Sequence, residues 1–156
     1  MVLNYMTIEI NRIVKSNFWS GKDFAKKKAI SDIVSSVFKH LSLNDDKSLS
    51  IVLVSDVQMH KMNLKFRNKD KPTNVLSFPC DNEFDDEYIG DIVLSFETIE
   101  KESIEQGKSF ENHFKHLLMH GTLHLLGYDH IEEDDRIAME KIEVDILGKI
   151  GIFGLY

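Results

Sequence analysis

The chain has 156 residues, 42% of them apolar and 29% charged, and a net charge of −7. This is the composition of one globular domain, long enough to bury a core without staples, and the acidic balance argues against a general nucleic-acid binder. Cys80 is the only cysteine, which excludes an intrachain disulfide; no secretory leader and no membrane span can be read, so the sequence points to the cytoplasm.

Thr7 to Ile13 alternates, with Ile8, Ile10 and Arg12 toward one side, and reads as a strand. Asp23 to Leu41 carries Ala25, Ala29, Ile30, Ile33, Val34, Val37 and Phe38 at helical spacing. Ser48 to Val54 is a second strand, and Asp56 is placed to cap the helix that follows through Met59, Met62 and Leu64 to Arg67. A polar loop, Asn68 to Thr73, leads to a short strand, Val75 to Phe78, that Pro79 ends. After an acidic loop, Asp81 to Glu87, comes the strand Tyr88 to Ser95, where Gly90 marks a bulge or a close backbone approach.

Phe96 to Gln106 is helical, closed by Gly107. Ser109 then caps a helix running to Leu126, with Gly127 stopping it in a left-handed conformation. The last helix, Asp134 to Lys149, turns Ile137, Ile142, Ile146 and Leu147 inward, and the apolar tail GIFGLY docks on the core. With no repeat and no linker, the expected fold is a single α+β domain over residues 1–156. A mixed sheet of about four strands is packed by helices, and the metal-binding helix described next lies in the C-terminal half.

Charges are segregated. Lys61, Lys65, Arg67, Lys69 and Lys71 crowd between His60 and Pro72, opposed only by Asp70, while acidic residues gather at Asp81 to Glu87 and Glu132 to Asp135. Two solvated faces are the plainer reading. A basic track for an RNA backbone is the functional one.

Four of the seven histidines, His113, His116, His120 and His124, fall in one sector of the Ser109-capped helix. They flank its apolar stripe of Phe110, Phe114, Leu117, Leu118 and Leu125. His120 and His124 are one turn apart, about 6 Å along the axis. Gly127 lets the chain fold back, so that His130 can join them. Three neutral imidazoles suit one zinc ion and leave a fourth position for water. A lone histidine is ordinarily without such duty, but H-x-x-x-H-x-x-G-x-x-H is the metzincin ligand spacing with one change. Gly121 stands where the protease has its glutamate base. A glycine inside a helix costs about 1 kcal/mol relative to alanine. The packing reading is a strand that crosses close to it, and a functional reading can coexist with that: a glutamate beside the metal would repel a phosphodiester, and its absence leaves room for an anionic substrate. His113 is two turns from His120 and out of reach of the ion. His116, one turn away, is a candidate to support a ligand from behind. Asp129 either orients a ligand imidazole or forms the turn.

On these residues the sequence resembles the YbeY family of bacterial ribosomal-RNA maturation factors, reported as zinc-dependent endoribonucleases. His120 to His130 matches the family signature H-G-x-L-H-L-x-G-Y-D-H throughout. Arg67 and Lys69 to Phe78 resemble its R-x-K-D-x-P-T-D-V-L-S-F block, with Asn74 in place of the usual aspartate, and Ile89 to Ile92 resembles its L-G-D-I strand. The resemblance covers roughly Ser50 to Gly148. It implies His120, His124 and His130 as ligands of one Zn²⁺ and Arg67 as the functional arginine. It also implies a single-strand-preferring endoribonuclease of rRNA maturation and ribosome quality control, whose partners are rRNA precursor and the small ribosomal subunit.

Zinc so held makes hydroxide available without a carboxylate base and acts as a Lewis acid on a phosphoryl oxygen. Arg67 is suited to oppose the developing charge, against the plainer reading of a surface ion pair. Lys61, Lys65, Lys69 and Lys71 are the candidate RNA contacts. A metzincin-like zinc peptidase is one rival, weakened by Gly121. A non-catalytic assembly factor with a structural zinc is the other, weakened by three ligands where structural sites use four.

Overall fold

The computed structural model describes residues 6–81 and 84–154. Four strands, β1 (Ile8–Val14), β2 (Lys47–Val54), β3 (Val75–Pro79) and β4 (Tyr88–Ser95), form one sheet in the order β1-β2-β4-β3. β1, β2 and β4 are parallel, and β3 pairs antiparallel with β4 at the edge, so the expected α+β architecture and mixed four-stranded sheet are what the chain adopts. The helices are α1 (Lys27–His40), α2 (Asp56–Arg67), α3 (Phe96–Glu105), α4 (Phe110–Leu125) and α5 (Glu133–Lys149).

Strand alternation splits the core between two faces. Leu49, Ile51 and Leu53 of β2 and Ile92 and Leu94 of β4 join the main core with α1 and α4. Val54, Val93 and Leu76 point the other way, onto Met59 of α2. α4 therefore lies across β3 and β4 on one face, while α2 covers the other. Gly90 serves both functions anticipated for it. The β2–β4 register shifts beside it, and at φ 136° a Cβ would lie 2.2 Å from the Phe78 carbonyl oxygen.

Several local expectations are corrected. The segment from Asp23 is a 3₁₀ turn, Asp23–Ala25, and α1 begins only at Lys27. Lys26 is extended between them, and the Ala25 carbonyl accepts a bond of 2.7 Å from Arg12 Nε. Ser55, not Asp56, is the N-cap of α2, in a capping box with Gln58. Asp56 instead caps α3, accepting from Ser95 Oγ (2.7 Å) and from the Thr98 backbone N–H (3.2 Å) and hydroxyl (2.6 Å). Glu97 of α3 returns the favour by accepting the Asp56 N–H at 3.1 Å.

Further along, Ile137 is exposed, and the inward stripe of α5 is Met139, Glu143, Ile146 and Leu147, with Ile142 at its margin. Among the described residues of the C-terminal tail only Ile152 is buried. Phe153 is exposed, and Leu155 and Tyr156 lie outside the described residues.

Candidate metal centre

α4 starts as expected, with Ser109 Oγ accepting the Asn112 N–H at 3.0 Å, and it delivers His120 and His124 one turn apart. It ends where Gly127 takes φ 96° and the Tyr128 N–H bonds back to the Leu123 carbonyl at 3.0 Å. That reversal turns His130 toward the helix. One ligand-capable atom from each of His120, His124 and His130 then lies within 4.8 Å of the others. The rings of His120 and His124 are 5.4 and 5.0 Å from that of His130, centroid to centroid.

Hydrogen bonds fix the tautomers. His124 Nδ1 is 2.9 Å from the Tyr128 carbonyl, which can only accept, so Nδ1 carries the proton. His120 Nδ1 is 2.6 Å from Glu143 Oε1 and likewise donates. In the neutral rings both Nε2 atoms are then bare lone pairs, and they face each other at 3.0 Å. Two such lone pairs repel unless a cation lies between them, so the donor set fits a shared metal ion. Burial, aided by the neighbouring His120 and His130, holds the His124 pKa below the usual imidazole value against the opposing Tyr128 carbonyl, keeping the ligand form.

The same three histidines line a cavity of about 580 Å³ whose wall also includes Arg67, Asn74, Ser77 and Asp129. Arg67 leaves the last turn of α2 and reaches over edge strand β3, where Nη2 is 3.5 Å from the Ser77 carbonyl oxygen. Lys61, Lys65, Lys69 and Lys71 are exposed and do not line this cavity; Lys65 Nζ lies 5.2 Å from the Phe66 ring centroid. Asp129 accepts the His130 N–H at 2.6 Å and so shapes the turn, and among the described residues no imidazole bonds to it. His113 is buried and bonds to Glu102 at 3.0 Å, away from the cluster, while His116 bonds to Glu143 at 3.1 Å. Asn74 stands just before strand β3, where its Oδ1 accepts the Val75 N–H at 2.6 Å and its Nδ2 donates to Glu102 at 2.9 Å.

Gly121 faces the sheet. A Cβ there would sit 2.9 Å from Ile92 Cγ2 and 3.1 Å from Ser77 Oγ. The close strand crossing explains the glycine.

A family model described as Endoribonuclease YbeY matches residues 14–151. The chain belongs to the YbeY family. The match begins well before Ser50, so the N-terminal third shares in the likeness that the motifs alone placed further on. Among curated YbeY relatives, an endoribonuclease YbeY of Acinetobacter baumannii is 37% identical, covering 96% of this chain and 99% of its own. That of Vesicomyosocius okutanii is 49% identical over 71% and 78%. A Thermotoga maritima protein solved in solution has a similar fold, with a TM-score of 0.59, 24% identity and coverage of 90% and 91%.

Glu143 escaped the sequence reading of this YbeY chain. Its signal was present: a carboxylate at the spacing 139, 143, 146 of the apolar stripe of α5.

Proposed function

We propose that this endoribonuclease works with one Zn²⁺ held by His120, His124 and His130. Its substrate is single-stranded rRNA precursor, bound in the cavity where Arg67 meets the three imidazoles. The observation that carries the reading is the pair of bare Nε2 lone pairs, 3.0 Å apart, in the wall of a cavity that also presents a guanidinium. When bound, zinc supplies Lewis acidity toward a phosphoryl oxygen and lowers the pKa of water. The chain's own residues do the rest. Glu143 and the Tyr128 carbonyl hold the Nδ1 protons of His120 and His124, so that neither ring spends its Nε2 lone pair elsewhere. Arg67 binds a non-bridging phosphate oxygen through its planar fork and opposes the charge that grows there during reaction.

The exposed Lys61 and Lys65 on α2 and Lys69 and Lys71 on the next loop flank Arg67 in the chain, and would track the RNA backbone. The reading places the protein in the cytoplasm, in rRNA maturation and ribosome quality control on the small ribosomal subunit. Among the described residues no helix is long and apolar enough to cross a membrane. The peptidase rival loses ground because Gly121 has no room for a carboxylate.

The test is metal analysis joined to cleavage assays. Chelator-free protein is expected to carry about one zinc per chain, to bind it less tightly as pH falls and the imidazoles protonate, and to lose RNA cleavage in His124→Ala. Protein without transition metal, or peptide cleavage without RNA cleavage, would overturn the assignment.

A further inference from the structure

Glu143 is the one carboxylate that is fully buried among the described residues. Removing a carboxylate from water is costly unless both oxygens find donors. Here both do. Oε1 accepts from His120 Nδ1 at 2.6 Å, and Oε2 accepts from His116 Nε2 at 3.1 Å. His120 and His116 are one turn apart on α4, and Glu143 reaches them from α5, which Met139, Ile146 and Leu147 anchor in the core. His116 lies on the same sector of α4 as the ligands but outside the cluster of three.

We propose that Glu143 is a positioning residue for the metal centre and that His116 is its brace. Glu143 locks His120 in the Nδ1–H tautomer, fixes the ring plane with Nε2 toward the ion, and makes that nitrogen a better donor by accepting the opposite proton. His116 occupies the second carboxylate oxygen, so the carboxylate cannot swing away from His120. The inference deepens the zinc reading and rests on it. It accounts for two things that reading leaves open: why a buried acid interrupts the apolar stripe of α5, and why a third histidine of α4 is buried without being a ligand.

Glu143→Gln keeps the shape and removes the charge. Zinc affinity, measured by competition with a chromophoric chelator, is expected to weaken by about 10–100-fold. The visible spectrum of the Co²⁺-loaded protein is expected to change, while circular dichroism of the metal-free protein stays as in wild type. His116→Leu, which removes the brace, is expected to weaken zinc binding less than Glu143→Gln does. His116→Gln, which restores a donor, is expected to recover most of that loss. His113→Gln is the control and leaves affinity unchanged, since its carboxylate partner is Glu102.

Wild-type zinc affinity and an unchanged Co²⁺ spectrum in a folded Glu143→Gln would overturn the proposal and leave Glu143 as packing. If Glu143→Gln does not fold, the His116 pair decides, and equal zinc affinity in its Leu and Gln variants overturns it. Wild-type protein that binds no zinc would instead sink the zinc reading itself, and this inference with it.

Discussion

Gly121→Ala sets two known effects against each other at one atom. Within a helix the change gains about 1 kcal/mol from propensity. The new methyl would lie 2.9 Å from Ile92 Cγ2 and 3.1 Å from Ser77 Oγ. Ile92 is fully buried on β4, which pairs on both sides, and Ser77 Oγ is engaged with the Gly121 carbonyl at 3.3 Å, so neither can retreat freely. Overpacking of this kind costs about 1–3 kcal/mol. The sum is a net destabilisation of roughly 0–2 kcal/mol, with α4 pushed off β3 and β4.

A double-mutant cycle isolates the clash. Ile92→Ala removes Cγ2, at its own cost of about 2–5 kcal/mol. In that background Gly121→Ala is expected to destabilise less or to stabilise by up to about 1 kcal/mol, since the Ile92 share of the penalty is gone and only the contact with Ser77 Oγ opposes the propensity gain. Urea denaturation of the four proteins measures the coupling. A Gly121→Ala that stabilises the wild-type background by the full propensity gain would refute the argument, since it would show that strand and helix have slack between them.

Arg67→Ala is expected to keep zinc and fold but lose RNA cleavage in single turnover, and Arg67→Lys to restore little, because lysine lacks the planar fork; full cleavage by the alanine variant would remove Arg67 from the mechanism. Lys61→Ala and Lys65→Ala are each expected to weaken RNA binding across sequences and to reduce the slope of log K against log salt by about 1, with a smaller effect on the chemical step. An unchanged slope would return these lysines to the solvated surface.

Asn74→Asp replaces a donor to Glu102 with a second carboxylate, and about 1–3 kcal/mol of stability is expected to go. In the wild type, burial pushes Glu102 up, but His113 and Asn74 outweigh it and hold its pKa below the usual value. Glu102 therefore contributes stability at neutral pH that is lost as pH falls through its lowered pKa. The added aspartate works in the opposite sense: a carboxyl raised by its neighbour loses stability as pH rises, so denaturation midpoints of variant and wild type are expected to converge on acidification. Midpoints that stay equally far apart at every pH would show that charge is not the cause.

The strands, the late helices and the three histidines were legible because each depends on local spacing. An i, i+4 pair on a helix followed by a glycine reversal allows few arrangements of the side chains, and His120, His124 and His130 come together accordingly. Gly121 was legible only as a question, because its cost is local while the reason for it, Ile92 on β4, lies 29 positions away.

Other features depend on partners remote in the chain. Asp56 reads as a helix cap from its neighbours and does cap a helix, but α3 rather than α2, because the parallel pairing of β2 with β4 sets the starts of both helices side by side. Trp19 sits in a 3₁₀ turn with no periodic signal, yet it is buried against Phe96, Phe110 and Phe114 with its Nε1 bonded to the Val54 carbonyl at 3.0 Å.

The sequence by itself determined which residues can bind a metal and roughly how far apart His120 and His124 stand, since helical geometry is the same wherever the helix lies. Only the tertiary structure decided what surrounds them: Arg67 brought over β3 into the same cavity, and Glu143 carried in on α5 to fix the His120 tautomer. Both are contacts between elements, set by how the apolar faces of α2, α4 and α5 pack, and no spacing within one segment encodes them.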